Sequence, residues 1–212
     1  MPSKEREYRS MELRAVQETE EKSYIVEGYA TTFGDTYELW RDGDYIVKEN
    51  VDKDAFKNTD MSDVVFQLDH EGRVFARTRN GSLALETDEH GLKTRTDLGL
   101  TESSRSVYED INAGLYDRMS FAFTVTKDSY VEEEQADGTV ILTRTILEVG
   151  KLYDVSAVSF PANPNTDISA RSKDLIDGEI KRFEAERLHE KEIKELRTRI
   201  LERLKKEDME NV

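Results

Sequence analysis

Short segments with the composition of β-strands dominate this 212-residue chain. Each segment alternates apolar and polar residues or is rich in β-branched residues, and Gly, Asn or Asp separates it from the next. The segments span residues 23–33, 45–47, 64–70, 82–87, 92–98, 119–126, 139–149 and 152–160. This pattern predicts an α+β, β-dominated fold in which an antiparallel sheet closes into a barrel or curves strongly, with flanking helices.

One helix is predicted within the β-rich region. Thr101 is a candidate N-cap, because its hydroxyl can accept from a free amide of the first turn. Val107, Ile111 and Leu115 follow at four-residue spacing, and Gly114 is a stop signal. We therefore expect a short helix with one apolar face between the strands.

The C-terminal region, residues 172–212, has a different pattern. It lacks Pro, carries 11 Lys and Arg against 12 Asp and Glu, and repeats apolar residues mostly at three- and four-residue steps. These features predict a charged helical tail that packs on its own domain, remains solvated, or binds a partner or a second copy. The predicted organisation is a flexible N-terminal segment at 1–19, a β-rich domain at 20–171 and the tail at 172–212.

Composition excludes several functional classes. The chain has no Cys, so disulfides, Cys-based zinc sites, iron–sulfur clusters and thiol catalysis are impossible. The formal net charge of −15 lies almost entirely in residues 1–171, which argues against nucleic-acid binding. The N-terminus shows neither a signal peptide nor a transmembrane segment, so we expect a cytoplasmic protein without a membrane partner.

The sequence contains little that could hold a metal or a cofactor. Its three histidines, His70, His90 and His189, are far apart, and none has a second His at helical spacing. No glycine loop has the spacing of a P-loop or a dinucleotide-binding motif. We expect neither a metal site nor a cofactor.

Three polar residues within the strand pattern could carry chemistry. His70 shares its strand parity with apolar residues and is followed by Glu71-Gly72, which places it at a strand end. Ser120 lies on the small, polar side of an alternating segment, and Asp154 is an acid among apolar and small residues. From the residues alone, each of the three also fits a structural role. Ser120 in particular would need a base beside it, because a serine hydroxyl alone is a weak nucleophile.

Several blocks of the chain, in order, resemble the motifs of the prohead maturation proteases of tailed bacteriophages. Leu68-Asp69-His70-Glu71 is similar to the family's "NHD" block, and 119–123 is similar to "SFGF", with Ala122 in place of Gly. Residues 152–164 resemble "LYEVSVVTFPANP", with Asp154 at the position of Glu. The further matching blocks are Gly28-Tyr29-Ala30 with Phe33, Glu49-Asn50-Val51 through Ala55-Phe56, Arg77-Thr78 with Gly81-Ser82-Leu83, and Arg144-Thr145-Ile146.

This resemblance covers about residues 23–171 and implies a serine endopeptidase with a fold related to herpesvirus assemblin. It assigns Ser120 as the nucleophile and His70 as the general base. Two acids compete for the third position. Asp154 is favoured because a short carboxylate fixed in a strand holds an imidazole more rigidly, and Glu148 is the alternative. Arg118 is a candidate for stabilising the oxyanion that forms when the serine attacks a peptide carbonyl. Alternatively, it forms only a surface ion pair.

The resemblance also implies partners and a place of action. The expected substrates are the major capsid protein precursor, scaffold segments and the protease itself, all inside the assembling prohead in the host cytoplasm. The tail would then direct co-assembly or be removed by self-cleavage. A non-enzymatic capsid assembly scaffold or chaperone with the same fold is the alternative function.

Overall fold

The structure is a computed structural model that describes residues 6–16, 23–159 and 170–210. The chain divides into two units, residues 1–169 and 170–212, which are described separately. In its described residues the first unit contains the following elements: β1 (Glu7–Val16), β2 (Ile25–Thr32), β3 (Tyr37–Asp42), β4 (Tyr45–Val51), β5 (Val65–Leu68), β6 (Glu71–Arg77), a 3-10 turn (Thr78–Asn80), β7 (Leu83–Thr87), β8 (Gly91–Asp97), α1 (Glu102–Asn112), β9 (Arg118–Glu134) and β10 (Val140–Val158).

The strands form one mixed sheet. Eight of them follow the order β3-β4-β10-β9-β1-β2-β8-β7, while β5 pairs with β10 and β6 pairs with β5. β10 is antiparallel to β9 but parallel to both β4 and β5. The long strands β9 and β10 therefore organise the sheet, and the first strand, β1, lies inside it beside β9.

The predicted closed or strongly curved antiparallel barrel is wrong. Among the described strands, β3 and β7 end the main path without pairing to each other, and no sheet is closed or strongly curled. Alternation in a sequence predicts which face of a strand is buried. Closure instead depends on strand number, tilt and stagger, which are set by pairings between distant segments. The β-dominated character does agree with the sequence pattern.

The core is built on β9 and on the helix that precedes it. Phe121, Phe123 and Leu152 are fully buried, together with Phe66 of β5. α1 adds three buried side chains, Val107, Tyr108 and Ile111. Because β9 starts inside this core, residues near its beginning have little freedom to move.

The helix predicted from Thr101 is confirmed. The Thr101 hydroxyl accepts from the backbone amide of Ser104, and Gly114, just past the helix end, has a left-handed φ of 76°. The prediction for Leu115 is wrong, because this side chain lies beyond the helix and is 67% exposed. The chain has already left the helical path at Gly114, so the spacing no longer places residue 115 on the apolar face.

Part of the segment predicted to be flexible, residues 1–19, forms β1. This strand pairs antiparallel with β2 on one side and with β9 on the other. Its sequence is rich in charges of both signs, which hides the strand from a hydropathy pattern. Glu7 and Arg9 are nevertheless paired with charged residues from other strands, as described below.

The second unit contains α2 (Ala170–Glu210), which covers most of the region where the sequence predicts a charged helix. In the part of α2 whose side chains are described, Leu188 and Leu196 are more than half exposed. Neither this helix nor α1 is both long and apolar enough to cross a membrane.

Candidate active site

Ser120 lies near the start of β9, between β1 and β10. Its backbone is in register with Ser156 of β10. Alternation predicts an apolar face and a small, polar face for this segment, but residues 119–125 are buried on both faces. Ser120 itself is 1% exposed. Ser120 is thus enclosed between neighbouring strands and does not lie on an open surface.

His70 lies in the tight turn that joins β5 to β6, directly after the strand. Leu68 pairs with Glu71 across this turn, so Asp69 and His70 are its two central residues. Both have left-handed backbones, with φ values of 46° and 60°. Asp and His tolerate this region better than most residues, but each such residue costs on the order of 1 kcal/mol. Other contacts must hold the turn in this shape.

Asp69 supplies those contacts. Its backbone amide donates to the carbonyl of Ala157 at 2.9 Å. Its carboxylate accepts from the backbone amide of Ser159 at 2.8 Å and from the Ser159 hydroxyl at 2.7 Å. The turn that carries His70 is therefore tied to the end of β10.

Asp154 lies on β10, in register with Val65 of β5 and Ala122 of β9. Its side chain is 4% exposed. The Ser156 hydroxyl donates to its Oδ1 at 2.8 Å, which leaves the carboxylate in a fixed orientation. Asp154 thus sits on the strand between those that lead to His70 and Ser120.

The imidazole of His70 joins the other two side chains. Its Nδ1 lies 2.5 Å from Oδ1 of Asp154, and its Nε2 lies 2.7 Å from Oγ of Ser120. When Nδ1 carries the proton and donates to the carboxylate, Nε2 is left to accept from the serine hydroxyl. This order of groups is the one that can withdraw a proton from a hydroxyl. The structure therefore brings Ser120, His70 and Asp154 together.

The structure also places the other two residues raised by the sequence, Glu148 on β10 and Arg118 on β9, two positions before Ser120. Glu148 is on β10 beside Lys127 of β9, six positions before Asp154, which is roughly 20 Å along a strand. Arg118 forms an ion pair with Asp117 at 3.8 Å, and its side chain is 42% exposed. The structure thus places Asp154, and not Glu148, against His70.

Comparison with known proteins gives the family of the chain. The model of a protein family described as "Caudovirus prohead serine protease" matches residues 9–179. The chain belongs to this family. No curated protein and no solved structure matches the chain. The matched range contains Ser120, His70 and Asp154, and it covers every strand from β2 to β10. The family predicted from the motifs is confirmed, while the relation to assemblin stays a prediction.

The structure of this prohead protease contains a buried ion cluster that the sequence did not predict. Its members are Glu7, Arg9, Glu49, Asp128 and Arg144. Arg144 donates two hydrogen bonds to Glu7, at 2.5 and 2.9 Å, and one each to Glu49 and Asp128. Arg9 donates two to Glu49, at 2.5 and 2.7 Å, and one to Glu7 at 3.0 Å. Hydrogen bonds thus join five charged side chains from four strands, β1, β4, β9 and β10.

The pKa shifts of Arg9, Glu49 and Arg144 favour the charged forms of these three side chains at neutral pH. Burial raises the pKa of Glu49, but the guanidinium groups of Arg9 and Arg144 outweigh burial and lower it below 4.5. Burial also disfavours the charged guanidinium of Arg9, but Glu49 outweighs it and raises the pKa. The Tyr37 hydroxyl donates to Glu49 at 2.6 Å, and burial raises the pKa of Tyr37 well above its ordinary value.

Sequence signals for this cluster existed only in part. The motif blocks contain Glu49 and Arg144, but nothing in one sequence says that two charges 95 residues apart meet. Glu7 and Arg9 lie outside those blocks. Another missed residue is Tyr8, whose ring packs against the imidazole of His70 with 4.5 Å between ring centroids.

The structure offers no metal centre in the described part of the chain. No group of three or more His, Asp or Glu residues there is arranged to hold an ion. His90 packs against Tyr29 near the turn between β7 and β8, and His189 is exposed on α2.

Proposed function

We propose that this prohead protease is a serine endopeptidase in which Ser120 is the nucleophile, His70 the general base and Asp154 the acid that orients the imidazole. The observation that carries the proposal is the pair of contacts made by His70, 2.7 Å to the Ser120 hydroxyl and 2.5 Å to the Asp154 carboxylate. Geometry within hydrogen-bond reach is the first requirement for a base.

The proposed reaction is acyl transfer to water in two steps. The Ser120 oxygen attacks the carbonyl carbon of a peptide bond while Nε2 of His70 takes its proton. His70 then gives this proton to the leaving amine as the C–N bond breaks, which leaves an acyl ester on Ser120. Water then attacks the ester carbon while His70 takes one of its protons. The C–O bond to Ser120 breaks, His70 returns the proton to the Ser120 oxygen, and the carboxylic acid is released. Asp154 stabilises the imidazolium in both steps.

The proposed substrates are the major capsid protein precursor, scaffold segments and other copies of the protease itself. The family name supports this proposal, because a prohead is the capsid precursor that such a protease would process. The proposed place of action is the interior of the assembling prohead in the host cytoplasm. Neither a nucleic acid nor a membrane is required as a partner.

A serine-directed fluorophosphonate tests the nucleophile without knowledge of the substrate. We expect the wild type to be labelled on Ser120, and labelling to disappear in Ser120→Ala. The matched control is Ser129→Ala, because Ser129 lies on the same strand but is exposed and outside the site. Equal labelling of the wild type and Ser120→Ala would exclude Ser120 as the nucleophile.

Co-expression with the accompanying capsid protein tests the substrate. We expect wild type and Ser129→Ala to shorten the capsid precursor and Ser120→Ala to leave it intact, as measured by mass spectrometry. Processing by Ser120→Ala would remove Ser120 from the mechanism. Shells that assemble with an uncut precursor in all three cases would favour the assembly chaperone instead.

A further inference from the structure

The structure assigns Tyr8 of β1 as a positioning residue for His70, which makes the N-terminal strand part of the active site. This inference rests on the proposed function, because it concerns the group that acts as the base. Tyr8 lies outside the blocks that identify the family and inside a segment whose charges suggest a solvated terminus.

The register of three strands places Tyr8 beside the site. Tyr8 pairs with Ala122 of β9, and Ala122 pairs with Asp154 of β10. Residues in direct register share a face of the sheet. A row across the sheet therefore runs from Tyr8 through Ala122 to Asp154. The small residue in the middle of this row leaves room above it for the imidazole of His70.

The residues at the two ends of this row, Asp154 and Tyr8, both contact the imidazole of His70. Asp154 receives Nδ1 on one side, and the Tyr8 ring contacts the imidazole on the other, with centroids 4.5 Å apart and ring planes at 70°. An edge-to-face contact of this kind restricts the tilt of a ring as well as its position. The hydrogen bond to Asp154 alone leaves the ring free to rock about the Nδ1 contact, which would move Nε2 away from Ser120. Tyr8 restricts that motion.

The buried ion cluster fixes Tyr8 in turn. Its neighbours Glu7 and Arg9 lie on the opposite face of β1, where they bind Arg144 and Glu49. A slip of β1 by one residue would exchange the two faces, pulling two charges out of the cluster and forcing the Tyr8 ring into it. The register of β1 is therefore strongly fixed, and with it the position of Tyr8.

The test uses the full chain, four variants and the fluorophosphonate probe. We expect Tyr8→Leu to lower the maximal inactivation rate, kinact, by about tenfold to a hundredfold with little change in the probe's apparent affinity, because a small misplacement of the base has effects of this size. Tyr8→Phe should stay near the wild type, since it keeps the ring. Thermal unfolding of each variant shows whether it is folded.

Tyr29→Leu is the matched control. Tyr29 packs against His90 with the same 4.5 Å centroid separation, at the turn between β7 and β8. We expect this variant to be labelled at the wild-type rate. If Tyr8→Leu is folded and reacts as fast as the wild type, or weakens only the probe's affinity, Tyr8 does not position His70.

The two proposals fail in different ways. Labelling that persists in Ser120→Ala contradicts the proposed function itself. Labelling that depends on Ser120 but is unaffected by Tyr8→Leu leaves the proposed function intact and contradicts only the role of Tyr8. Loss of labelling in both Tyr8→Leu and Tyr8→Phe, with folding retained, also contradicts the claim that the contact of the Tyr8 ring positions His70, because Tyr8→Phe keeps that ring.

Discussion

Replacing Asp154 by Asn removes the charge of the proposed third residue while keeping its shape. Oδ1 of the carboxylate accepts from His70 at 2.5 Å and from Ser156 at 2.8 Å, and an amide oxygen in the same place can accept both bonds. What the variant loses is the attraction between a carboxylate and the imidazolium that forms when His70 takes the proton from Ser120.

The size of this loss follows from the geometry. The centres of the carboxylate and the imidazolium would lie roughly 4 Å apart, and two unit charges at that distance attract by about 4 kcal/mol at an effective dielectric constant near 20. Screening by solvent is small here, because the side chains of His70 and Asp154 are only 17% and 4% exposed. A barrier raised by about 4 kcal/mol slows the reaction by about a thousandfold.

The assay is the second-order rate of fluorophosphonate labelling at neutral pH. Glu148→Gln is the matched control, because it removes a carboxylate from the same strand at a position far from His70. We expect Asp154→Asn to react about a thousandfold more slowly and Glu148→Gln to react like the wild type. A folded Asp154→Asn within tenfold of the wild type would refute the electrostatic role of Asp154, and a large loss in Glu148→Gln would point to the other acid.

Three further predictions concern the support of the site. Arg144→Met should lower the free energy of unfolding in urea by about 3–5 kcal/mol, because it leaves the buried carboxylates of Glu7 and Glu49 with one shared cation, Arg9, instead of two, and a loss below 1 kcal/mol would contradict this. The pKa of Glu49 is lowered below 4.5 in the folded state, so its stabilising contribution is complete above pH 4.5 and is lost as the pH falls through the folded-state value. In urea unfolding, the stability difference between the wild type and Glu49→Gln should therefore be constant above pH 4.5 and narrow below it, whereas a pH-independent difference would contradict the shift. Ala122→Leu should slow labelling by about a hundredfold because its side chain would take the place of the His70 ring, and Ala122→Gly should not.

The strand pattern and α1 were accessible from the sequence because both follow from local periodicity. An alternating segment such as 119–125 predicts a strand, and Thr101 followed by apolar residues at helical spacing predicts a capped helix. The motif blocks further pointed to His70, Ser120 and Asp154, and the structure brings these three side chains within hydrogen-bond distance.

The sequence could not supply features that depend on distant pairing. It suggested a closed barrel, but β10 pairs in parallel with β4 and β5 and the described sheet stays open. It suggested a flexible N-terminus, but β1 enters the sheet there. A charged strand resembles a solvated segment until its partners are known, because burial of Glu7 and Arg9 is favourable only when Glu49 and Arg144 are already in place.

The sequence by itself determined the absence of cysteine chemistry and, through motif blocks that resemble those of one family, the family and the three candidate side chains. These are properties of residue type and local order, which one chain displays directly. The tertiary structure decided which acid meets His70, how the strained turn at His70 is tied to β10, and that Tyr8 closes the other side of the imidazole. The reason is physical: hydrogen bonds and ring contacts depend on distances of a few ångströms between residues that are up to 90 positions apart in the chain.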